Sequence, residues 1–286
     1  MHPYMIASLA IGLAAAASLA AAPVRLRRSA WVAALLSAPF TLVSLDYGAY
    51  WHPSRLWGLQ LGLEDLVLCV SSGVLLWSLP AGLEAGRVHL LMNWAIMLRR
   101  YFAATLAGAV LVGVCRLWGA SPSVSLFTAM AAVSFGILML QAGYWRLALA
   151  GSLSYLTLYT ALLKCSWLAF PSFSSEWNWA GLCGVTVIGI PLEEIAWAAG
   201  YGAVWPLIMA YTLQARIECV QTRGEMAEES YASAVRLGAG ELRLSKRMSS
   251  ADAMTTGQTA PKTAAQATSP RGMPNTREPH RPSAFQ

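Results

Sequence analysis

The sequence predicts an all-α integral membrane protein with seven transmembrane helices, and three observations carry that prediction. The 286 residues are 56% hydrophobic and only 12% charged, against roughly 25% charged in an average soluble domain. Much of that charge is in the tail: residues 223–286 hold 9 of the 20 Lys and Arg and 6 of the 14 Asp and Glu. Residues 1–222 keep 11 basic and 8 acidic groups, too few to cover the surface of a soluble protein of this size. The third observation is seven apolar runs, each long enough to cross about 30 Å of hydrocarbon. They lie near 4–23, 30–49, 62–83, 101–119, 122–141, 147–169 and 190–213.

The first run could pass for a cleavable leader, since small residues fill the stretch from Ser18 to Pro23. Its own N-terminal side carries no Lys or Arg, however, and Arg25, Arg27 and Arg28 follow it. That order predicts a retained helix with the N-terminus outside. The later loops agree. Arg87, Arg99, Arg100, Arg146 and Arg216 join the inner set, whereas Arg55 and Arg116 fall outside with Asp46 and Glu176. The net charge of +6 is therefore an orientation signal, not the footprint of a nucleic-acid binder. The second run ends on Asp46, the third opens on Glu64-Asp65, and the seventh opens on Pro191-Leu192-Glu193-Glu194. The five cysteines have no Cys-x-x-Cys spacing and read as buried small hydrophobes. The four histidines are scattered, so neither a metal nor a cofactor is expected. Beyond Gln221 the composition turns to Ala, Ser, Thr, Pro and charge. Residues 223–247 could form a short surface helix, and 248–286 read as disordered.

Two stretches resemble each other at an offset of 129. Leu63-Glu64-Asp65-Leu66 falls on Leu192-Glu193-Glu194-Ile195, and each is preceded by a segment rich in Trp and Gly: Trp51, Trp57 and Gly58 in one, Trp177, Trp179 and Gly181 in the other. Helix three thus corresponds to helix seven. A shift of four helices preserves orientation, so the expectation is two parallel three-helix repeats joined by helix four. The boundaries are 1–85 for the first repeat, 86–121 for the linker and connecting helix, 122–214 for the second repeat, and 215–286 for the cytoplasmic tail.

This pattern resembles the small membrane-bound lycopene cyclase domain, found as two subunits in some bacteria and fused into one chain in others and in fungi. A half-domain of that family has an Asp ending its second span, then Trp and Gly, then Pro-Leu-Glu-Glu opening its third. Asp46, Trp51, Pro53, Gly58 and Leu63-Glu64-Asp65 stand in those places in the first half, and Trp177, Trp179, Gly189 and Pro191-Leu192-Glu193-Glu194 in the second. The chain departs at Gly62, where the family has Pro, and it lacks the Phe-Phe pair that commonly follows the acidic dyad. The resemblance implies a divergent cyclase acting on lycopene or a related linear carotene in a bacterial inner membrane. It also implies that no obligate second subunit is needed, because both repeats share one chain.

The residues support such chemistry independently. An ionisable group within a membrane segment is costly and marks function by default, although Glu64, Asp65, Glu193 and Glu194 could simply cap two helices. Ring closure of a linear carotene is a redox-neutral isomerisation needing one proton donor and one acceptor, and paired carboxyls in apolar surroundings can supply both. Asp46 could help to orient them. On a helix, Tyr201 and Trp205 lie about 20° to either side of Glu194, with Trp197 about 60° away, so one face offers a carboxyl and three rings able to stabilise a cation. Lys164 either snorkels to the interface or pairs with a dyad carboxylate. Trp51, Trp57, Trp177 and Trp179 fit an interfacial aromatic belt. The rival readings are a non-catalytic carotenoid- or lipid-binding protein and a proton-coupled transporter. No Asp-x-x-x-Asp run supports a prenyltransferase, and no Gly-x-Gly-x-x-Gly supports a nucleotide site.

Overall fold

A computed structural model of the chain describes residues 2–45 and 50–217. Asp46 and the two tail segments, 223–247 and 248–286, lie outside the described residues. Of the described residues, 78% are helical. Its long helices are α1 (Pro3–Ala21), α2 (Val24–Ser37), α3 (Leu63–Leu83), α4 (Trp94–Leu117), α5 (Pro122–Leu140), α6 (Trp145–Ala169) and α7 (Leu192–Thr212). Among the described residues, six helical stretches are long and apolar enough to cross a membrane: α1, α2 with its continuation to Leu45, α3, α4, α5 and α6. The chain is thus an all-α, multi-pass membrane protein. Helix α7 is long enough but is not among the six, because Glu193, Glu194 and a run of Gly, Tyr, Trp and Pro lower its hydropathy.

Several boundaries differ from the sequence expectation, each for a local reason. Pro23 stands at the N-cap of α2, so α2 begins at Val24 and carries Arg25, Arg27 and Arg28 on its first turns. Arg27 reaches back to the carbonyls of Ala20 (2.8 Å) and Ala22 (3.1 Å) and so caps α1. After Ser37 the helix tightens into 3₁₀ geometry through Leu45, with Pro39 removing one backbone donor. The Asn93 side chain accepts from the N–H groups of Ala95 and Ile96. Helix α4 therefore begins at Trp94, and Arg99 and Arg100 belong to the helix, not to a loop. Arg100 donates to the Tyr211 carbonyl (2.9 Å) and lies 4.8 Å from the centre of the Tyr211 ring, closing the end of α7. Pro191, expected as the first helical residue of α7, is its N-cap.

Helix α3 packs against α1 and α2, α7 packs against α5 and α6, and α3 and α7 also meet each other. Two fully buried tryptophans fasten this arrangement. The Trp77 indole donates to Ser29 Oγ on α2 (2.8 Å), and the Trp205 indole donates to the Gly73 carbonyl on α3 (3.1 Å). Between lipid-facing helices there is little hydrophobic drive for association, so small residues that admit close backbone approach do much of the fastening. Gly151 on α6 and Gly202 on α7 face each other in this way. A Cβ on Gly151 would sit 2.3 Å from the Gly202 carbonyl oxygen, and one on Gly202 would sit 2.8 Å from that of Gly151. Two short pairings finish the fold: β1 (Val88–His89) with β4 (Arg216–Ile217), and β2 (Thr186–Val187) with β3 (Ile190–Pro191), the latter a hairpin leading into α7.

Valine at Gly151 or Gly202 should destabilise the purified protein by about 1–3 kcal/mol through overpacking. Gly113→Val, on α4 with nothing within 4 Å of its would-be Cβ, should leave stability nearly unchanged. Thermal unfolding in detergent measures both, and equal effects at the three positions would refute the tight α6–α7 crossing.

Candidate functional site

Glu194 occupies the first turn of α7, where the helix dipole favours negative charge. Its side chain is buried, and three donors from three separate segments surround it. Tyr50 and the Trp177 indole (2.9 Å) both donate to Oε1, and Tyr159 on α6 donates to Oε2 (2.6 Å). The segments carrying Tyr50 and Trp177 are zipped together. Trp51 bridges Trp177 in antiparallel fashion, the His52 N–H donates to the Glu176 carbonyl (2.8 Å), and the Asn178 N–H donates to that of Tyr50 (2.9 Å). Two connecting loops are thereby fixed over one carboxylate. Glu176, in the second of these loops, has its carboxyl pushed above the usual range by burial, with Ser54 and Arg55 acting in the opposite direction.

Below the carboxylate lies a cavity of about 410 Å³, within the common span of small-molecule sites, about 300–1,000 Å³. Glu194, Trp197, Tyr201 and Trp205 all line it, so the face read from helix periodicity is the face that the cavity meets. Tyr159 extends the aromatic wall, and Tyr155 backs it. The ring centres of Tyr159 and Trp197 are 5.1 Å apart, those of Trp197 and Tyr201 are 5.3 Å apart and stacked, and Tyr155 stacks on Tyr159 at 5.7 Å. The opposite wall is apolar and comes from α4 and α5, with Gly108, Val112, Leu126 and Met130 among its residues.

The first-half dyad is placed differently. Glu64 and Asp65 hold the same positions on α3 as Glu193 and Glu194 hold on α7, yet neither is among the cavity-lining residues. Asp65 is fully buried and pairs with Arg55 through Nε (2.6 Å) and Nη2 (3.1 Å); it also accepts from Tyr4 Oη (2.8 Å) and the Gly62 N–H (2.8 Å). The last of these is the reach-back bond of a capping box. Glu64 accepts from the Leu56 N–H. Gly62, the departure from the family pattern, follows from these contacts. A Cβ there would lie 2.3 Å from Glu64 Oε2, and proline would have no N–H for Asp65. Glu193 accepts from the Cys183 N–H and is likewise absent from the cavity lining. The structure therefore brings Glu194, Trp197, Tyr201 and Trp205 together and leaves Glu64, Asp65 and Glu193 at helix ends.

The interfacial-belt reading needs correction. Trp177, assigned to an interfacial belt, is 4% exposed and hydrogen-bonds Glu194, whereas Trp57 is 72% exposed. Lys164 makes no ion pair among the described residues; its ammonium donates to the Ile188 carbonyl (3.0 Å) at the turn of the β2–β3 hairpin. Sequence reasoning also missed Tyr50, Tyr159 and Arg55. The spacing of Tyr155 and Tyr159, four residues apart on one helix face, was an available signal. Nothing in the local sequence ties Tyr50 to a residue 144 positions away.

No protein-family model matches this chain, and neither a curated protein nor a solved structure matches it.

Asp65→Asn should cost about 3–5 kcal/mol, because Arg55 would be left largely buried without its counter-charge. Thermal unfolding of the detergent-solubilised protein tests this, and a wild-type midpoint would remove Asp65 from the architecture of α1, α3 and the Arg55 segment that leads into α3.

Proposed function

We propose that the chain is a lycopene cyclase-type enzyme, which closes the linear end group of lycopene or a related carotene by acid–base chemistry without redox change. The observation that carries this reading is a buried carboxylate, Glu194, at the head of an apolar cavity walled by Trp197, Tyr201, Trp205 and Tyr159. The reaction begins with protonation of a terminal double bond. The resulting cation is captured by the neighbouring double bond, and a ring proton is then lost. Since one proton enters and one leaves, a single carboxyl can serve as donor and then as acceptor. Aromatic faces stabilise the intervening cation by roughly 0.5–2 kcal/mol each. In this reading Glu194 moves the proton, Asp46 assists at the end of the second span, and Glu193, Glu64 and Asp65 hold the helix ends.

The seven-span, parallel-repeat architecture belongs to the same proposal. It is supported by the packing of α3 on α1 and α2 beside that of α7 on α5 and α6, and by the matched first-turn positions of the two acidic pairs. With the N-terminus outside, eight body arginines fall on inner segments and two on outer ones. Reporter fusions after Pro53 and after Gln221 should report opposite sides of a bacterial inner membrane, and matching signals would refute the seven-span reading. A non-catalytic carotenoid- or lipid-binding role is favoured by one observation, the occupation of both Glu194 oxygens, which also suits a purely structural pin.

Expression of the full chain in lycopene-accumulating cells, followed by pigment chromatography, separates the two readings. Ring-bearing products are expected from the wild type. Glu194→Gln should lower their formation by about 10²–10⁴-fold, whereas Glu64→Gln, remote from the cavity lining, should act only through protein level. Wild-type product from Glu194→Gln would leave the carboxylate as a pin and remove the cyclase mechanism.

A further inference from the structure

We infer that Tyr159 is the group that exchanges the proton with the substrate, with Glu194 recharging it from behind. This inference rests on the cyclase reading and adds a catalytic residue to it. Glu194 Oε1 is taken by Tyr50 and by the Trp177 indole, and Oε2 by Tyr159. An indole N–H can only donate, so Oε1 keeps a donor whatever the protonation state of the carboxyl. A phenol can both donate and accept. A proton resting on Oε2 is therefore passed to Tyr159 Oη, and the phenol's own hydrogen turns away from the carboxyl.

Position favours Tyr159 over Tyr50 for this exchange. Tyr50 is held in the zipped loops by the Asn178 N–H on its carbonyl. Tyr159 projects from α6 into the aromatic wall, stacked on Tyr155 and 5.1 Å from the centre of Trp197, the nearest ring of the α7 face. The Tyr155 hydroxyl is engaged with Ser72 Oγ (2.9 Å), which anchors the stack on the side away from Glu194. Tyr159 and Tyr50 both line the cavity, and Tyr159 does so from within the ring stack that runs on to Trp197.

The steps balance. The Tyr159 O–H bond breaks as a C–H bond forms at the terminal double bond of the carotene, and the Glu194 Oε2 proton moves to Tyr159 Oη. That leaves a carboxylate, a neutral phenol and a carbocation. Ring closure forms the carbon–carbon bond and moves the cation into the ring. A ring C–H proton then returns to Tyr159 Oη as the phenol proton passes to Oε2. One proton enters, one leaves, and no electrons are exchanged.

The test compares wild type, Tyr159→Phe and Tyr50→Phe as full chains in lycopene-accumulating cells, with ring products normalised to membrane-inserted protein. Tyr159→Phe should lose about 10²-fold or more. Tyr50→Phe removes the same number of hydroxyls from Glu194 and should lose roughly tenfold or less. Fluorotyrosine at position 159, which keeps size and hydroxyl but makes the phenol more acidic, should shift the alkaline limb of the pH–rate profile to lower pH. Equal losses in the two phenylalanine variants, or an unmoved profile with fluorotyrosine, overturn the inference. Should Tyr159→Phe fail to insert, the fluorotyrosine profile decides alone. A wild type that closes no ring removes this inference together with the cyclase reading; wild-type ring closure with an unimpaired Tyr159→Phe removes this inference alone.

Discussion

A carboxyl group taken out of water must find hydrogen-bond partners, because burying a polar group without them costs several kcal/mol. Glu194 finds three, and each comes from a different part of the chain. Tyr159 requires α6 to lie against α7, which the Gly151–Gly202 contact permits. Tyr50 and Trp177 require two long connections to run side by side, which the Trp51–Trp177 bridge and its flanking backbone bonds provide. One acidic side chain at a helix start thus ties these two connections together.

The two halves of the chain solve the same problem in opposite ways. Asp65, at the matching position of α3, takes the Arg55 guanidinium as partner, so its charge is cancelled where it arises. Glu194 takes only neutral donors. Hydrogen bonds from phenols and an indole satisfy the oxygens without supplying a counter-charge, so a carboxylate formed there would carry its field into the cavity through low-dielectric surroundings. A cation formed among Trp197, Tyr201 and Trp205 would feel both that field and the ring quadrupoles, whereas beside Asp65 the Arg55 charge would offset the carboxylate's field. The asymmetry is chemical, although the helix positions are alike.

Much of this organisation was legible in the sequence, and the reason differs by residue. Burial of a membrane helix is written in runs of apolar residues, so α1, α3, α5 and α6 fell close to their expected bounds. The boundaries of α2 and α4 were missed because arginine was read as a loop residue, although its long stem lets it sit in a helix and bond carbonyls at the end of another, as Arg27 does at α1 and Arg100 at α7. The face containing Glu194, Trp197, Tyr201 and Trp205 followed from the 3.6-residue period alone. The partners of Glu194 did not, because they are long-range and rest on loop pairing, which carries no period. Trp177 shows the limit: an indole near a helix mouth reads as an interface anchor unless the acceptor of its N–H is known.

The size of the cavity constrains any reaction carried out within it. About 410 Å³ admits the end of a long polyene but not its whole length. The rest of such a molecule must then lie outside the cavity, and the outer surfaces of α4 and α5 are lined with exposed apolar side chains such as Phe102, Leu106, Val110, Val124 and Phe135. Those surfaces are suited to acyl chains and polyenes alike, so the remainder of the substrate would stay in lipid while one end is held under Glu194. With Asp65 ion-paired on α3 and Glu194 hydrogen-bonded without an ion pair on α7, the two ends of a symmetric carotene would not meet equivalent carboxyls. Closing both would require the molecule to withdraw and return reversed, a motion that the bilayer permits and the protein need not guide.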